Sequence, residues 1–131
     1  MAKTRVLLVS PRFNPNSFWS FEGACELIGA KTLAPPLGLI TVAAMLPKDW
    51  HCRLVDSNTQ ALEDSDIAGA DLVMTGGMLP QEPDMLAIIA RCRRLGVPVC
   101  VGGPAPTSTP EHYAEADFRV VGESEGICGE F

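Results

Sequence analysis

An open, parallel α/β sheet is the fold class this 131-residue chain predicts. Three observations carry it. Short apolar runs of strand length recur along the chain, helical patterns separate them, and two of the runs end in glycine clusters. Asp71-Leu-Val-Met-Thr75 leads into Gly76-Gly77-Met78-Leu79-Pro80, and Val97-Pro-Val-Cys-Val101 leads into Gly102-Gly103-Pro104. In such sheets a ligand sits outside the carboxyl ends of the strands. Glycine there lets the backbone turn sharply and lets a ligand come close.

The elements follow in order. Arg5–Ser10 reads as the first strand. Pro11 to Pro35 is a long irregular stretch in which Glu22–Ile28 has the pattern of a short helix. The stretch holds Phe13, Phe18, Trp19 and Phe21, half of the aromatic residues of the chain. Long connections are usually functional or disordered. Two readings stand for these aromatics: they cover one face of the sheet, or they wall a ligand or dock a neighbouring domain. Pro35-Pro36 opens a helix over Leu37–Leu46, because proline in a first turn lacks only an N–H that would be unpaired anyway, and Pro47 stops it. Cys52–Asp56 is the second strand, Ser57–Thr59 a loop, and Glu63–Ala68 a short acidic helix. The third strand is Asp71–Thr75. A helix over Pro83–Leu95 ends at Gly96 as its C-cap. Pro98–Val101 is the fourth strand, Gly103–Thr109 a Pro/Ser/Thr loop, and Pro110–Ala114 one helical turn. Asp117–Val121 is the fifth strand, followed by Gly122-Glu123-Ser124-Glu125-Gly126.

Five strands alternating with helices give a three-layer, flavodoxin-like (Rossmann-like) sheet covered on both faces, with expected order 2-1-3-4-5. The switch point then lies between the first and third strands. Loops Ser10–Asn16 and Gly76–Glu82 face each other across the ligand crevice.

The length fits one domain, residues 1–131, and 47% hydrophobic residues suffice for a packed core. A net charge of −6 excludes the basic stripe that nucleic acid would require. Arg91, Arg93 and Arg94 read as dipole-complementing, solvated residues at a helix end. No apolar stretch is long enough for a signal peptide or a membrane span, so a cytoplasmic location is expected. The five cysteines, Cys25, Cys52, Cys92, Cys100 and Cys128, contain no C-x-x-C pair, and reduced core thiols are expected.

The loop after the first strand, Ser10-Pro-Arg-Phe-Asn-Pro15, excludes the phosphate ligands usual for this architecture. It lacks the glycines that bring a dinucleotide's pyrophosphate to a helix N-terminus, and no P-loop occurs. It has Arg12 where a receiver domain gathers acids, and it lacks the Ser/Thr/Gly loop of an FMN site. Cobalamin is the remaining candidate. It asks for a wide, flat, largely apolar edge on which a corrin rests against backbone, and the two glycine clusters suit that. Many cobalamin domains carry a D-x-H-x-x-G loop that supplies a histidine to cobalt, and that loop is absent here. His51 precedes the second strand, at the opposite end of the sheet, and His112 lies in a short helix. Both are expected at the surface, so no axial histidine is expected from this chain.

Five segments in order resemble the N-terminal cobalamin-binding domain of cobalamin-dependent radical S-adenosylmethionine enzymes. They are Val6-Leu-Leu-Val-Ser-Pro11, Ala34-Pro-Pro-Leu-Gly-Leu39, Val73-Met-Thr-Gly-Gly77, Val101-Gly-Gly-Pro104 and Asp117-Phe-Arg-Val-Val-Gly-Glu123-Ser-Glu125. The resemblance covers nearly the whole chain and is nearest to hopanoid-methylase-type members and uncharacterised relatives. It implies corrin-facing residues Ser10, Pro11, Thr75, Gly76, Gly77, Met78, Leu79, Gly102, Gly103 and Pro104. Gly122 and Glu123 would flank the nucleotide tail or contact a further domain. Met78 and Leu79 would press on the lower face of the corrin; ordinary loop packing is the other reading for them. The family's catalytic half carries C-x-x-x-C-x-x-C for a [4Fe–4S] cluster that cleaves S-adenosylmethionine, a spacing absent here. The chain is therefore expected to be one domain of a longer methyltransferase acting on an unactivated carbon, binding cofactor without doing chemistry itself. Two other classes compete with this reading: a cofactor-free interaction or regulatory domain, and an enzyme acting on a small molecule at the same edge, for which no nucleophile–base pair is visible.

Overall fold

In the computed structural model, described over residues 3–16, 22–29 and 36–122, five strands form one parallel sheet of order 2-1-3-4-5. The order of elements is β1 (Arg5–Ser10), α1 (Glu22–Ile28), α2 (Leu37–Met45), β2 (His51–Asp56), α3 (Asp64–Ala68) and β3 (Leu72–Gly76). A 3-10 turn at Leu79–Gln81 leads into α4 (Glu82–Leu95). Then come β4 (Val99–Gly102), α5 (Pro104–Ser108), a 3-10 turn at Pro110–Tyr113 and β5 (Phe118–Arg119). The flavodoxin-like arrangement matches the expectation from sequence.

β1 is an interior strand between β2 and β3, and Val6, Leu7, Leu8 and Val9 are all buried. Successive residues of a strand point to opposite faces, so such a continuous apolar run marks a strand covered on both sides. Leu7, Val9, Val55, Val73, Val99 and Val101 point to one face, where Ile67 of α3, Met85, Ile88, Ile89 and Cys92 of α4, Ala105 of α5 and Tyr113 complete the core. Val6, Leu8, Leu72, Met74 and Cys100 point to the other, against Leu39, Val42 and Ala43 of α2 and Leu46 just beyond it. Met85, Ile88, Ile89 and Cys92 follow the three- and four-residue spacing of a helix face. Burial pushes the Cys92 thiol up to about 11, so it stays protonated at neutral pH. The described cysteines are free thiols.

Three local expectations change. Gly103–Thr109 is not a plain loop: Pro104–Ser108 forms α5, with Gly103 as its N-cap and the Thr107 N–H donating to the Gly103 carbonyl at 3.1 Å. Proline preset for a first helical position outweighs the loop-like composition. β5 is shorter than Asp117–Val121, although Asp117 and Val120 still donate to the Val99 and Val101 carbonyls at 3.0 and 2.8 Å. A short edge strand offers little template for unwanted pairing. The arginines at the end of α4 are not merely solvated. Arg91 and Arg94 both pair with Asp64, at 2.9 and 3.1 Å, and Arg93 pairs with Glu115 at 3.1 Å. Among the described residues no helix is long and apolar enough to cross a membrane. Phe18, Trp19, Phe21, Glu123 and Cys128 lie outside the described residues.

Candidate functional site at the carboxyl edge of the sheet

The two glycine clusters meet each other. Gly76 of β3 and Gly102 of β4 are partners in the strand register. A Cβ on Gly76 would collide with the Gly102 carbonyl. One residue further, Gly103 adopts φ +99, and a Cβ there would lie 3.0 Å from the Gly77 nitrogen. The Gly77 carbonyl accepts the Ala105 N–H at 3.0 Å, which anchors the first turn of α5. The close approach these glycines permit is thus loop to loop, and it draws the ends of β3 and β4 into one continuous rim.

The loops after β1 and β3 do face each other, and they are tied together. The Asn14 N–H donates to the Pro80 carbonyl at 3.0 Å, and the Arg12 N–H donates to the Asp84 carboxylate at 2.6 Å. Gln81, buried at 5% exposure, donates through Nε2 to the Pro11 carbonyl at 2.8 Å. Its Oε1 accepts the Met78 N–H at 3.0 Å. From the other side, Asn58 donates to the Pro11 carbonyl at 3.1 Å and accepts the Phe13 N–H at 3.0 Å. Asp56 orients Asn58 by accepting from both its backbone N–H and its amide, at 3.0 and 2.9 Å. Three consecutive backbone donors after β1, those of Arg12, Phe13 and Asn14, are therefore committed internally. A phosphate has no free run of N–H groups to occupy there, which gives the missing glycines of the dinucleotide motif a structural counterpart.

Each sequence-predicted residue but Glu123, which lies outside the described residues, has a definite place. Ser10 and Pro11 are buried beneath the rim. Thr75 is buried, and its hydroxyl donates to the Val9 carbonyl at 2.7 Å, so it locks β3 to β1. Gly76, Gly77, Gly102 and Gly103 form the seam and are half-buried. Met78 and Leu79 stand out from it at 36% and 63% exposure, and Pro104 is exposed on the neighbouring turn. Gly122, with φ +92, donates its N–H to the Thr107 hydroxyl of α5 at 3.0 Å. The rim is a backbone seam with an apolar lip, a surface suited to the face of a flat ring system.

Gln81, Asn58 and Asp84 are the residues sequence reasoning missed. Asn58 lies just beyond the end of β2, Gln81 ends the 3-10 turn before α4 and Asp84 lies in the first turn of α4. Polarity at these junctions is the only signal they carry, and their partners are up to 72 residues away. The histidines lie elsewhere. His51 begins β2 at the amino edge and is exposed. His112 is half-exposed and its Nδ1 lies 2.7 Å from Glu82 Oε1. The neighbouring Tyr113 hydroxyl is buried without a partner; burial, then the Glu82 charge, pushes it up to about 12. No group of three or more His, Cys, Asp or Glu among the described residues is placed to hold a metal ion.

Comparison with known proteins adds the family. The B12 binding domain family matches residues 27–131. An uncharacterized methyltransferase of Synechocystis sp. is 44% identical over 123 residues, covering 92% of this chain and 23% of its own length. The hopanoid C-2 methylase of Rhodopseudomonas palustris is 38% identical over 120 residues, covering 91% of this chain and 23% of its own. The chain thus spans about a quarter of the length of these relatives. No solved structure matches. A five-stranded sheet of this order, a carboxyl edge built from paired glycines and a family match over most of the length agree: the chain belongs to the B12-binding domain family.

Proposed function

We propose that this chain holds cobalamin flat against the carboxyl edge of its sheet, as the cofactor-binding domain of a longer methyltransferase. The observation that carries the reading is the rim itself, in a chain of the B12-binding family: the glycine seam is closed and the Met78–Leu79 lip stands clear of it. The residues present fit the group. A corrin presents a broad, largely apolar face, and Met78, Leu79 and Pro104 offer matching exposed surface. The clamped loop after β1 keeps its backbone donors paired and bounds the crevice at the switch point. Bound cobalamin supplies a cobalt centre able to carry a methyl group, and this chain's part is placement and shielding.

The finer reading rests on the resemblance and on the two methyltransferase relatives. In the longer protein a separate radical domain, holding a [4Fe–4S] cluster and S-adenosylmethionine, would face the same edge, at which the rim of this chain would hold the cofactor. By the same resemblance Gly122 and Glu123 would flank the nucleotide tail or contact that domain. A cytoplasmic location accords with this chemistry, because reduced clusters and free thiols need a reducing compartment.

Mixing the protein with hydroxocobalamin and desalting it tests the reading. Retained corrin absorbance is expected, and Leu79→Asp should weaken retention about tenfold at little cost in stability, since Leu79 is mostly exposed. A folded protein that emerges free of corrin would sink the proposal and favour a cofactor-free interaction domain.

A further inference from the structure

We infer that Gln81 is the positioning residue of this edge: its side-chain amide sets the lip at Met78 against the loop after β1, and corrinoid retention depends on that setting. The inference rests on the cobalamin reading and names a residue that neither the glycine pattern nor the family resemblance picks out.

A buried amide must satisfy both of its ends. Gln81 does so across the switch point, donating to the Pro11 carbonyl at 2.8 Å and accepting from the Met78 N–H at 3.0 Å. The Pro11 carbonyl also accepts from Asn58 at 3.1 Å, so both its lone pairs are used and its position is fixed from two sides. The Met78 N–H is thereby referenced to a fixed point on the β1 loop. The absent side chain of Gly77 makes this possible, because a Cβ there would collide with the Gln81 amide. Gly77 and Gln81 are one device: the glycine clears the space and the amide fills it with a two-ended clasp. An apolar residue at position 81 would fill the space but leave the Met78 donor unpaired, and the lip would lose its reference.

Two substitutions separate the clasp from mere packing. Gln81→Met keeps volume and removes both bonds. Gln81→Glu keeps the acceptor for Met78, but its ionised carboxylate has no proton to offer the Pro11 carbonyl; protonation restores the donor. A carboxyl beside a carbonyl oxygen should protonate above its ordinary value of about 4.3. The other charged groups around the site are Arg12 on the loop after β1, Asp56 at the end of β2, Glu82 and Asp84 at the start of α4, and His112 against Glu82. All are present in the wild-type chain, so the variant is read as a ratio to wild type at each pH.

The experiment measures hydroxocobalamin retention by the wild-type chain and both variants between about pH 5 and 8, beside amide exchange at Met78. Retention by Gln81→Met should fall about tenfold. Gln81→Glu should match that loss at pH 8 and recover at least about threefold relative to wild type toward pH 5. Met78 exchange should quicken about tenfold in Gln81→Met. Retention within about twofold of wild type in both variants would overturn the inference, as would a loss in Gln81→Glu whose ratio stays flat with pH. Unchanged Met78 exchange would overturn it whether or not corrinoid binds. If wild type itself retains none, the cobalamin reading falls, and the exchange result still decides whether the clasp exists.

Discussion

On one face of the sheet, α3, α4 and α5 bury a continuous core in which Val9, Val55, Ile67, Val73, Met85, Cys92, Val99, Val101 and Tyr113 are almost wholly shielded. On the other face, among the described residues, α2 covers a smaller cluster around Val6, Leu8, Leu72 and Met74, and none of its own residues is fully buried. The helices differ in kind. α4 is amphipathic, with arginines on its outer side paired to Asp64 and Glu115. α2, Leu-Gly-Leu-Ile-Thr-Val-Ala-Ala-Met, has no charged residue, yet Leu37 and Ile40 remain 65% and 44% exposed. A helix apolar all round normally lies buried. The contrast teaches that, among the described residues, the α4 face carries the larger share of the packing and the α2 face a smaller one.

The largest test of that contrast is a pair of truncations. Ile88→Ala should cost about 3–4 kcal/mol, as a fully packed core residue does, and Leu39→Ala about 1 kcal/mol, since Leu39 is only partly covered. Urea denaturation of both variants measures this, and equal losses would erase the distinction between the faces.

Next come the glycines with positive φ. Gly103→Ala combines strain with a contact at 3.0 Å on the Gly77 backbone, and should cost about 2–3 kcal/mol. Gly96→Ala has open space around its Cβ and should cost about 1 kcal/mol. Thermal melts that rank them the other way would mean that the seam between the glycine clusters does not stiffen the rim.

Acid should sharpen the contrast from the charged side. Hydrogen bonds from Arg91, then Arg94, hold the Asp64 carboxyl below its usual range, and Arg5 does the same for Asp71. A depressed carboxylate pKa contributes stability that is present above the unfolded value of about 4 and is lost as pH falls through the folded one. The melting temperature should therefore decline below about pH 4.5. Asp64→Asn should flatten that decline with little effect at pH 7, because exposed pairs contribute little. An unchanged acid limb in the variant would remove Asp64 from the account.

The smallest effects complete the ordering. Tyr113→Phe removes a buried hydroxyl with no partner and should be neutral to slightly stabilising, within about 1 kcal/mol. Leu37→Lys, on the exposed side of α2, should change stability by less than about 0.5 kcal/mol. A large loss there would place Leu37 in a packed interface.

The strands were legible because their apolar runs are continuous: Val6–Val9 and Leu72–Met74 must be buried on both faces, and only a covered parallel sheet provides that. α4 was legible because Pro83 and Gly96 bracket a helical spacing of apolar residues. α5 was not, because Pro104, Pro106, Thr107 and Ser108 have the composition of a loop, and the helix exists only where Gly77 offers its carbonyl to Ala105. The glycine clusters were visible as an edge, but not as partners of each other.

By itself, then, the sequence determined the layers, the parallel order and the glycine-lined carboxyl edge of the sheet. Each of these follows from local periodicity and from turn chemistry at strand ends. Only the tertiary structure decided how that edge is held. Gln81 reaches Pro11 across 70 residues, Asn58 reaches the same carbonyl from the next loop, and Gly103 fits against Gly77 because neither carries a side chain. Such contacts leave no periodic trace, since they depend on which strand ends the fold brings side by side.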